Sequence, residues 1–257
     1  MEATTRVERE QQSYDDGRVL IESNRLHSRF RHIFDCPNTR FCERYMQNQI
    51  RSRLKNSRIL DYGCGNGWYS AHLLSAGASR VVGIDISAKN IAEAKLLHGT
   101  MFGSQNTAEF HVMDAHHLSF PDQSFDLVIG RAILHHLEFE TAIREVVRVL
   151  KKGGCAIFAE PLRDNPMAKL YRILTPSAHT PDELPLSRKQ IVWANGLFST
   201  SHHLFCGFLS TALGLFTSSL FQNADNTALR FADSIDRLIM RTPLRYWMRY
   251  VYLVWEK

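Results

Sequence analysis

The sequence predicts an α/β fold in which helices cover both faces of a doubly wound, mostly parallel sheet. Two observations support this prediction. Short apolar strands alternate with helical segments between residues 58 and 160, and right-handed crossovers between parallel strands give such an alternation. The first strand also runs into a glycine-rich turn and the second ends in a lone carboxylate, which is typical of a ligand site at the carboxyl edge of a sheet.

Seven segments have the pattern of strands. Five lie in the alternating region, at 58–62, 80–85, 108–113, 125–130 and 154–160. The helices between them are expected to begin near Trp68, Ala88 and Glu138. Two later ranges, 198–205 and 248–255, are the candidates for a sixth and a seventh strand.

The regions outside the core divide the chain into a helical N-terminal extension (1–55), a core (56–161) and a lid insertion followed by the last strands (162–257). Broken 3.6-residue spacing predicts helices over 8–19 and 20–34, and a third helix begins after Pro37. The segment 162–196 is rich in proline and polar residues and has no strand pattern, so we expect it to lie over the ligand side of the sheet.

Composition describes an ordinary soluble globular protein. The 257 residues suffice for one core with a lid, with 44% hydrophobic and 22% charged residues. The five cysteines include no C-x-x-C pair, which argues for a reducing compartment and against a disulfide framework or a metal site. The N-terminus lacks the apolar stretch of a signal peptide, so the cytoplasm is the expected location.

The longest uncharged stretch, 204–221, reaches the lower length limit of a membrane span. Its serines, threonines and glycines keep its hydropathy modest. We therefore expect a strand end followed by a buried lid helix, with peripheral membrane contact as the alternative and no stable insertion into a bilayer.

The most informative stretch of the chain is Ile59-Leu60-Asp61-Tyr62-Gly63-Cys64-Gly65-Asn66-Gly67-Trp68. Alternate glycines allow a sharp turn in which the backbone approaches a ligand closely, and Asp85, at the end of the second strand, can bind two ribose hydroxyls. The dinucleotide pattern G-x-G-x-x-G fails, because its third glycine would fall at Trp68. The sequence therefore predicts a nucleoside ligand that need not carry a pyrophosphate.

These residues resemble the first motif of the class I S-adenosylmethionine-dependent methyltransferases, and the resemblance continues in order over residues 57 to 161. The matching elements are Gly83-Ile84-Asp85-Ile86-Ser87, Met113-Asp114-Ala115, Ser124-Phe125-Asp126-Leu127-Val128-Ile129 and Leu150-Lys151-Lys152-Gly153-Gly154. The resemblance implies a seven-stranded Rossmann-like sheet whose final strand is antiparallel. It also implies S-adenosylmethionine as cofactor and S-adenosylhomocysteine as product.

The resemblance assigns cofactor-binding roles to specific positions, and each has a simpler structural alternative. Asp61 would orient the methionine end, Asp85 would bind the ribose, and Asp114 would accept from the adenine amino group. Ile86 would pack on the adenine face, Ala115 would offer its backbone amide, and the turn would need the backbone of Gly63, Gly65 and Gly67. Arg131 is included in this site, but a guanidinium beside a cationic cofactor needs a nearby anion. That anion could be Asp61, Glu160 or a substrate acid, and a structural ion pair is the simpler interpretation.

Four residues are candidates for catalysis. His135 and His136 follow the fourth strand, where a neutral imidazole could act as a general base, although either could instead be a packing residue. Glu160 ends the fifth strand, at the position that resembles the acceptor side of small-molecule methyltransferases. Tyr14 lies in the segment that resembles a leading helix closing over the cofactor, and a surface role is the alternative.

The acceptor is harder to predict. The net charge of +5 hints at nucleic acid, but no nucleic-acid-binding module is present and interleaved arginines are usually solvated helix faces. The accessory segments are instead apolar and aromatic, which favours a hydrophobic small-molecule acceptor, as in natural-product biosynthesis.

Three hypotheses remain open for the reaction. The first is C-methylation of a prenyl or polyene chain, with or without cyclisation, where aromatic faces would stabilise a cation. The second is O- or N-methylation of a quinone-like or polyketide-like metabolite by a histidine base. The third is a cofactor-binding cyclase or regulatory protein that transfers no methyl group. The N-terminal helices could also mediate a homo-oligomer.

Overall fold

A computed structural model describes residues 6–16, 25–103, 107–176, 179–180 and 182–257. The strands are β1 (Arg58–Tyr62), β2 (Arg80–Asp85), β3 (Ala108–Val112), β4 (Phe125–Arg131), β5 (Leu150–Pro161), β6 (Thr200–Cys206) and β7 (Tyr250–Glu256). They form one seven-stranded sheet in the order β3-β2-β1-β4-β5-β7-β6. Every pairing is parallel except those of β7, which runs antiparallel to β5 and β6. The predicted fold class and the antiparallel final strand are confirmed.

Helices flank this sheet and extend beyond its ends. Those that precede β3 are α1 (Arg6–Asp15), α2 (Arg31–Asp35), α3 (Pro37–Arg51), α4 (Trp68–Ser75) and α5 (Ala88–Phe102). Those that follow β4 are α6 (Phe139–Val149), α7 (Pro166–Leu174), α8 (Arg188–Asn195), α9 (Leu209–Leu220) and α10 (Thr227–Ile239). Short 3-10 turns lie at Leu134–His136 and Pro243–Trp247.

Helix starts follow local signals in the sequence. Pro37 occupies the first turn of α3, where its missing N–H costs nothing, and Glu138 caps α6 by accepting from the amides of Glu140 and Thr141. The Ser187 side chain and Gln190 form a reciprocal capping box at the start of α8. The predicted helix starts near Trp68, Ala88 and Glu138 are confirmed, because α4 and α5 begin at Trp68 and Ala88 and α6 begins directly after Glu138. The predicted junction of the first two N-terminal helices, at 17–24, lies outside the described residues.

Two apolar layers hold the sheet between helices. On one face, buried residues of β1, β4 and β5 pack with Phe139, Ile143 and Val146 of α6. On the other face, Met46 and Ile50 of α3 pack with the opposite side chains of the same strands. Because both faces are covered, the middle of β4 (127–129) and of β5 (155–159) is apolar, as expected of central parallel strands.

The first residue of three predicted strands is corrected. β5 begins at Leu150, four residues early, because Leu150 pairs with Phe125 across a register shift. β6 begins at Thr200, because Phe198 stacks on Trp255 with ring centroids 5.3 Å apart instead of joining the ladder. β7 begins at Tyr250 rather than at residue 248.

The uncharged stretch 204–221 contains the end of β6 and then α9. The predicted buried lid helix is buried along one face only. Its small face, with Ser210, Thr211 and Gly214, lies inward, whereas Phe216 is 65% exposed. A Cβ at Gly214 would lie 3.0 Å from the backbone nitrogen of Ile33, so close approach to α2 selects the small face for burial. Within the described part of the chain, every helix is too short or too polar to cross a bilayer.

Candidate functional site

A cavity of about 180 Å³ lies where the carboxyl ends of β1, β2 and β4 meet. In open α/β sheets this edge holds the ligand, because the strand order reverses between neighbouring strands there. The turns after β1, β2, β3 and β4 contribute to its wall, and α1 covers it. Of the predicted cofactor residues, the cavity is lined by Gly63, Gly65, Asp85, Ile86, Asp114, Ala115 and Arg131.

The glycines after β1 are required for different physical reasons. Gly63 has φ of 78° and a Cβ there would lie 2.7 Å from Cγ1 of Ile133, so this position needs glycine twice over. Gly67 also has φ of 78°, but its missing Cβ makes room for Ala94 of α5 rather than for a ligand. Gly67 is accordingly absent from the wall of the cavity, and its part in the site is to pack two helices together.

Asp85 has a carboxylate held in place by three donors. Oδ2 accepts from the Gly65 amide at 2.9 Å, and Oδ1 accepts from the Ser87 amide at 2.9 Å and from Asn90 Nδ2 at 3.2 Å. Burial raises the pKa of Asp85, and these hydrogen bonds oppose the rise. The result is an oriented acid on the cavity wall whose remaining lone pairs can accept from hydroxyls.

Asp114 has a partner that the sequence reasoning missed. Nδ1–H of His116 donates to Asp114 Oδ1 at 2.7 Å, while Nε2 of His116 accepts from the Glu138 amide at 2.8 Å. These two bonds assign the tautomer of His116 and fix the Asp114 carboxylate. The spacing Asp-x-His could have predicted this contact, because the side chain two residues after a turn aspartate can hydrogen-bond to its carboxylate.

Asp61 is placed behind the glycine turn and not on the cavity wall. Its carboxylate is 3% exposed and accepts from Ser70 Oγ at 2.6 Å. Burial raises its pKa to about 6. Its predicted contact with the methionine end of a cofactor stays a prediction.

Arg131 has the anion that its position demands, and it is neither of the predicted protein acids. Its guanidinium donates to both carboxylate oxygens of Glu43, at 2.8 Å and 3.1 Å, and lies 5.1 Å from the ring centroid of Tyr69. Glu43 is on α3, so this bidentate pair ties the N-terminal region to the end of β4. In the sequence, the one indication of this ion pair was that Glu43 is the single glutamate of a basic helix.

A second cavity, of about 390 Å³, adjoins the first and shares Tyr14, Ala132 and His136 with it. These three residues therefore form the boundary between the two spaces. The second cavity has an apolar wall of Ile33, Phe34, Met167, Ala168 and Leu215. We name this space the acceptor cavity and the first one the cofactor cavity, after the roles that the sequence predicts for residues around them.

His135 opens onto the acceptor cavity and is held from behind by Glu160. Its Nδ1–H donates to Glu160 Oε2 at 2.6 Å, while Glu160 Oε1 accepts from the amides of Ile133 and Leu134, each at 2.9 Å. The left-handed backbone of Ala132 (φ 53°) makes the turn that exposes these amides. Glu160 is fully buried and lines neither cavity, so it positions His135 instead of meeting an acceptor.

This arrangement leaves Nε2 of His135 as the nitrogen without a proton on the cavity side, 4.0 Å from Glu183 Oε1. Burial, and then the neighbouring His136, lower the pKa of His135. The imidazole is therefore neutral near pH 7 and able to take a proton.

His136 is engaged differently. The hydroxyl of Tyr14 donates to its Nε2 at 3.0 Å, and its Nδ1 lies 3.1 Å from Glu10 Oε2. Tyr14 and Glu10 both belong to α1, so His136 anchors this helix over the boundary. The two neighbouring histidines thus have different tasks, which their sequence positions alone could not separate.

His135, His136 and Glu183 could reach one cation, since each has a ligand atom within 4.8 Å of the others. Glu183 already has other partners: its Oε2 lies 3.0 Å from His179 Nδ1, and its Oε1 lies 3.6 Å from Arg172 Nε. The sequence expectation of no metal stays a prediction.

Residues 60–158 match the family model described as "Methyltransferase domain". The chain is 29% identical over 140 residues to an O-methyltransferase of Penicillium expansum, covering 52% of this chain and 50% of that protein. The chain spans about half the length of the curated relatives that it matches. Among solved structures, it is similar to geranyl diphosphate C-methyltransferase from Streptomyces coelicolor (TM-score 0.58, 15% identity, 83% of this chain, 79% of that one). It is also similar to the [4+2]-cyclase SpnF (TM-score 0.53, 21% identity, 83% and 80%).

Proposed function

Because this chain carries a class I S-adenosylmethionine-dependent methyltransferase domain, we propose that it methylates a hydroxyl or amine of a small, largely apolar molecule. The observation that supports this most is the His135–Glu160 pair. It presents one oriented, unprotonated nitrogen to a cavity that adjoins the cofactor cavity.

The residues of the cofactor cavity fit S-adenosylmethionine. Asp85 offers lone pairs for the ribose hydroxyls, and Asp114 with the Ala115 backbone can read the adenine. Gly63 and Gly65 bring bare backbone to the cavity, and at Gly65, where a Cβ would meet no protein atom within 4 Å, a side chain would project into open space beside the nucleoside. When bound, S-adenosylmethionine supplies a methyl group on a positively charged sulfur and leaves as S-adenosylhomocysteine once the acceptor atom has formed the new bond to carbon.

The chain's own residues then have two tasks. His135 Nε2 accepts the proton that the acceptor hydroxyl or amine loses, and Glu160 stabilises the resulting imidazolium through Nδ1–H. Tyr14 and α1 close the boundary and exclude water, which favours direct alignment of the two reactants.

C-methylation of an alkene is the second candidate, since the rings of Phe34 and Tyr250 line the acceptor cavity. Such rings could stabilise the carbocation that forms when the alkene carbon takes the methyl group. A base would then remove a proton from the neighbouring carbon to regenerate a double bond. The position of the new methyl group separates the two candidates.

The test uses S-adenosylmethionine labelled in the methyl group, purified protein and a metabolite extract, followed by separation of organic-soluble molecules from RNA and protein. We expect protein-dependent label on an oxygen or nitrogen of an organic-soluble product. Label on carbon would favour the second candidate. Label confined to RNA or protein, or S-adenosylhomocysteine binding with no transfer to any fraction, would contradict both.

A further inference from the structure

Two arginines line the acceptor cavity, and they differ in charge compensation. Arg172 has a carboxylate, since its Nε lies 3.6 Å from Glu183 Oε1. Arg249 has no carboxylate oxygen within 4.0 Å among the residues that the structure describes. A partly buried guanidinium without an anion is unusual, because removing a charge from water is costly unless a partner replaces the solvent.

The guanidinium of Arg249 is nevertheless fixed in place. It lies 5.2 Å from the ring centroid of Phe34 and 5.3 Å from that of Tyr250. The Arg249 amide donates to the carbonyls of Cys206 and Gly207, at 3.0 Å and 2.8 Å. The ring contacts orient the side chain before any ligand arrives, and the amide bonds fix the backbone that carries it.

Its hydrogen-bonding capacity is largely unused. Nη2 makes only long contacts, at 3.5 Å to the Ile33 carbonyl and 3.4 Å to Thr39 Oγ1. Nε is buried and has no hydrogen-bond partner. A planar fork of donors held in this way matches a carboxylate or a phosphate.

The surroundings of Arg249 are positively charged. A third cavity, of about 400 Å³, adjoins the acceptor cavity and shares Phe34, Arg249 and Tyr250 with it. Arg40, Arg44 and Arg131 also line this third cavity, against Asp35 and Glu43. Glu43 is already bound by Arg131, so among the described residues that line this cavity Asp35 is the one carboxylate left to oppose the other three arginines.

We propose that Arg249 binds an anionic group of the acceptor, a carboxylate or a phosphate, while the apolar body of the acceptor lies in the acceptor cavity. The proposal rests on the proposed function, because it names a feature of the same substrate. It implies an amphipathic acceptor whose charged end lies where the acceptor cavity meets the third cavity, and whose reacting atom lies near His135.

The test measures equilibrium binding, so it needs no methyl transfer. Dodecyl phosphate, dodecanoate and dodecanol, each below its micelle concentration, are titrated into the full chain saturated with S-adenosylhomocysteine. We expect at least one anionic probe to bind about tenfold or more tightly than dodecanol, the ratio that a charge-assisted hydrogen bond provides. The comparison of the two anions distinguishes phosphate from carboxylate.

Arg249→Gln is expected to abolish this preference and to leave dodecanol binding unchanged. Arg249→Lys should keep part of it, because the charge remains but the fork is lost. Arg245→Gln is the matched control: Arg245 also stacks on aromatic rings, 5.3 Å from Phe205, but it lines neither cavity. Thermal melting and S-adenosylhomocysteine affinity report whether each variant is folded.

The inference is overturned if the three probes bind equally, or if Arg249→Gln retains the anionic preference. The proposed function fails separately, if S-adenosylhomocysteine does not bind at all. The two failures are therefore distinguishable in one set of titrations.

Discussion

The cofactor cavity and the acceptor cavity share a boundary, but they are assembled in different ways. Most of the cofactor cavity comes from turns between residues 63 and 137 that follow successive parallel strands. The acceptor cavity draws on segments as distant as α1, α2, α7, α9 and the start of β7. The cofactor cavity therefore depends mainly on the geometry of turns in the core, and the acceptor cavity depends on the tertiary packing of helices from distant segments.

This difference predicts that cofactor binding and methyl transfer depend on different parts of the chain. Two of the three donors to Asp85, in the cofactor cavity, lie within five residues of it, at Ser87 and Asn90, and the third is the Gly65 amide of the preceding turn, 20 residues away. The proposed base, His135 of the acceptor cavity, is positioned by Glu160, 25 residues away on a different strand. Variants in the cofactor cavity should therefore change cofactor affinity, and variants in the acceptor cavity should change turnover.

The largest expected effect is that of His135→Gln. Glutamine cannot take the proton, so turnover should fall by about 10²- to 10⁴-fold, as for the loss of a general base. S-adenosylhomocysteine affinity should stay within about twofold of wild type, since His135 lies outside the cofactor cavity. Steady-state rates with the labelled cofactor and isothermal titration make the comparison.

His203→Gln is the control for this variant. His203 is also partly buried with a lowered pKa, but it bonds to Asn195 away from both cavities. If the two variants lost turnover equally, the loss would reflect packing and not a base.

Asp85→Asn should have the next largest effect. It keeps the shape of the side chain and removes the charge that would accept from ribose hydroxyls, so the dissociation constant of S-adenosylhomocysteine should rise by about tenfold to a hundredfold. Asp122→Asn is a surface control, at 71% side-chain exposure. Unchanged affinity in Asp85→Asn would remove the ribose assignment.

Asp61→Asn should raise stability. The folded pKa of about 6 lies above the ordinary aspartate value of 3.8, so the buried charge destabilises the fold increasingly as pH rises between these values. Above pH 6 the cost is fully present, and the substitution should raise the free energy of unfolding by about 3 kcal/mol. Denaturant unfolding at pH 8 measures the change.

Asp126→Asn gives the opposite sign and serves as the control. The ammonium of Lys151 and the Arg58 amide lower the pKa of Asp126, so its charge stabilises the fold. A loss of stability in both variants would contradict the account of Asp61.

Tyr14→Phe should have the smallest effect. It removes the hydroxyl that donates to His136 but keeps the ring over the boundary, so turnover should fall by about threefold to tenfold, the range for one neutral hydrogen bond. Tyr45→Phe, on α3 and outside both cavities, is the matched control. A loss as large as that of His135→Gln would instead assign the chemistry to Tyr14 and His136.

The same contrast explains what the sequence could predict. The alternation of strands and helices, the glycine turn and Asp85 are local patterns, and the structure has the predicted fold class with these residues at its carboxyl edge. Glu43 as the partner of Arg131, and Arg249 on the acceptor cavity, depend on contacts between segments 88 or more residues apart, which no local pattern encodes.

The central claim is that neutral His135 is the base for methyl transfer, and its most direct test is the pH dependence of the transfer rate in wild type and His135→Gln. Burial lowers the pKa of His135 below 6.5, so the wild-type rate should fall as pH drops below that lowered pKa and be level near pH 7. The variant should be slow throughout and lack this titration. A variant with the wild-type rate, or with the same pH dependence, would contradict the claim.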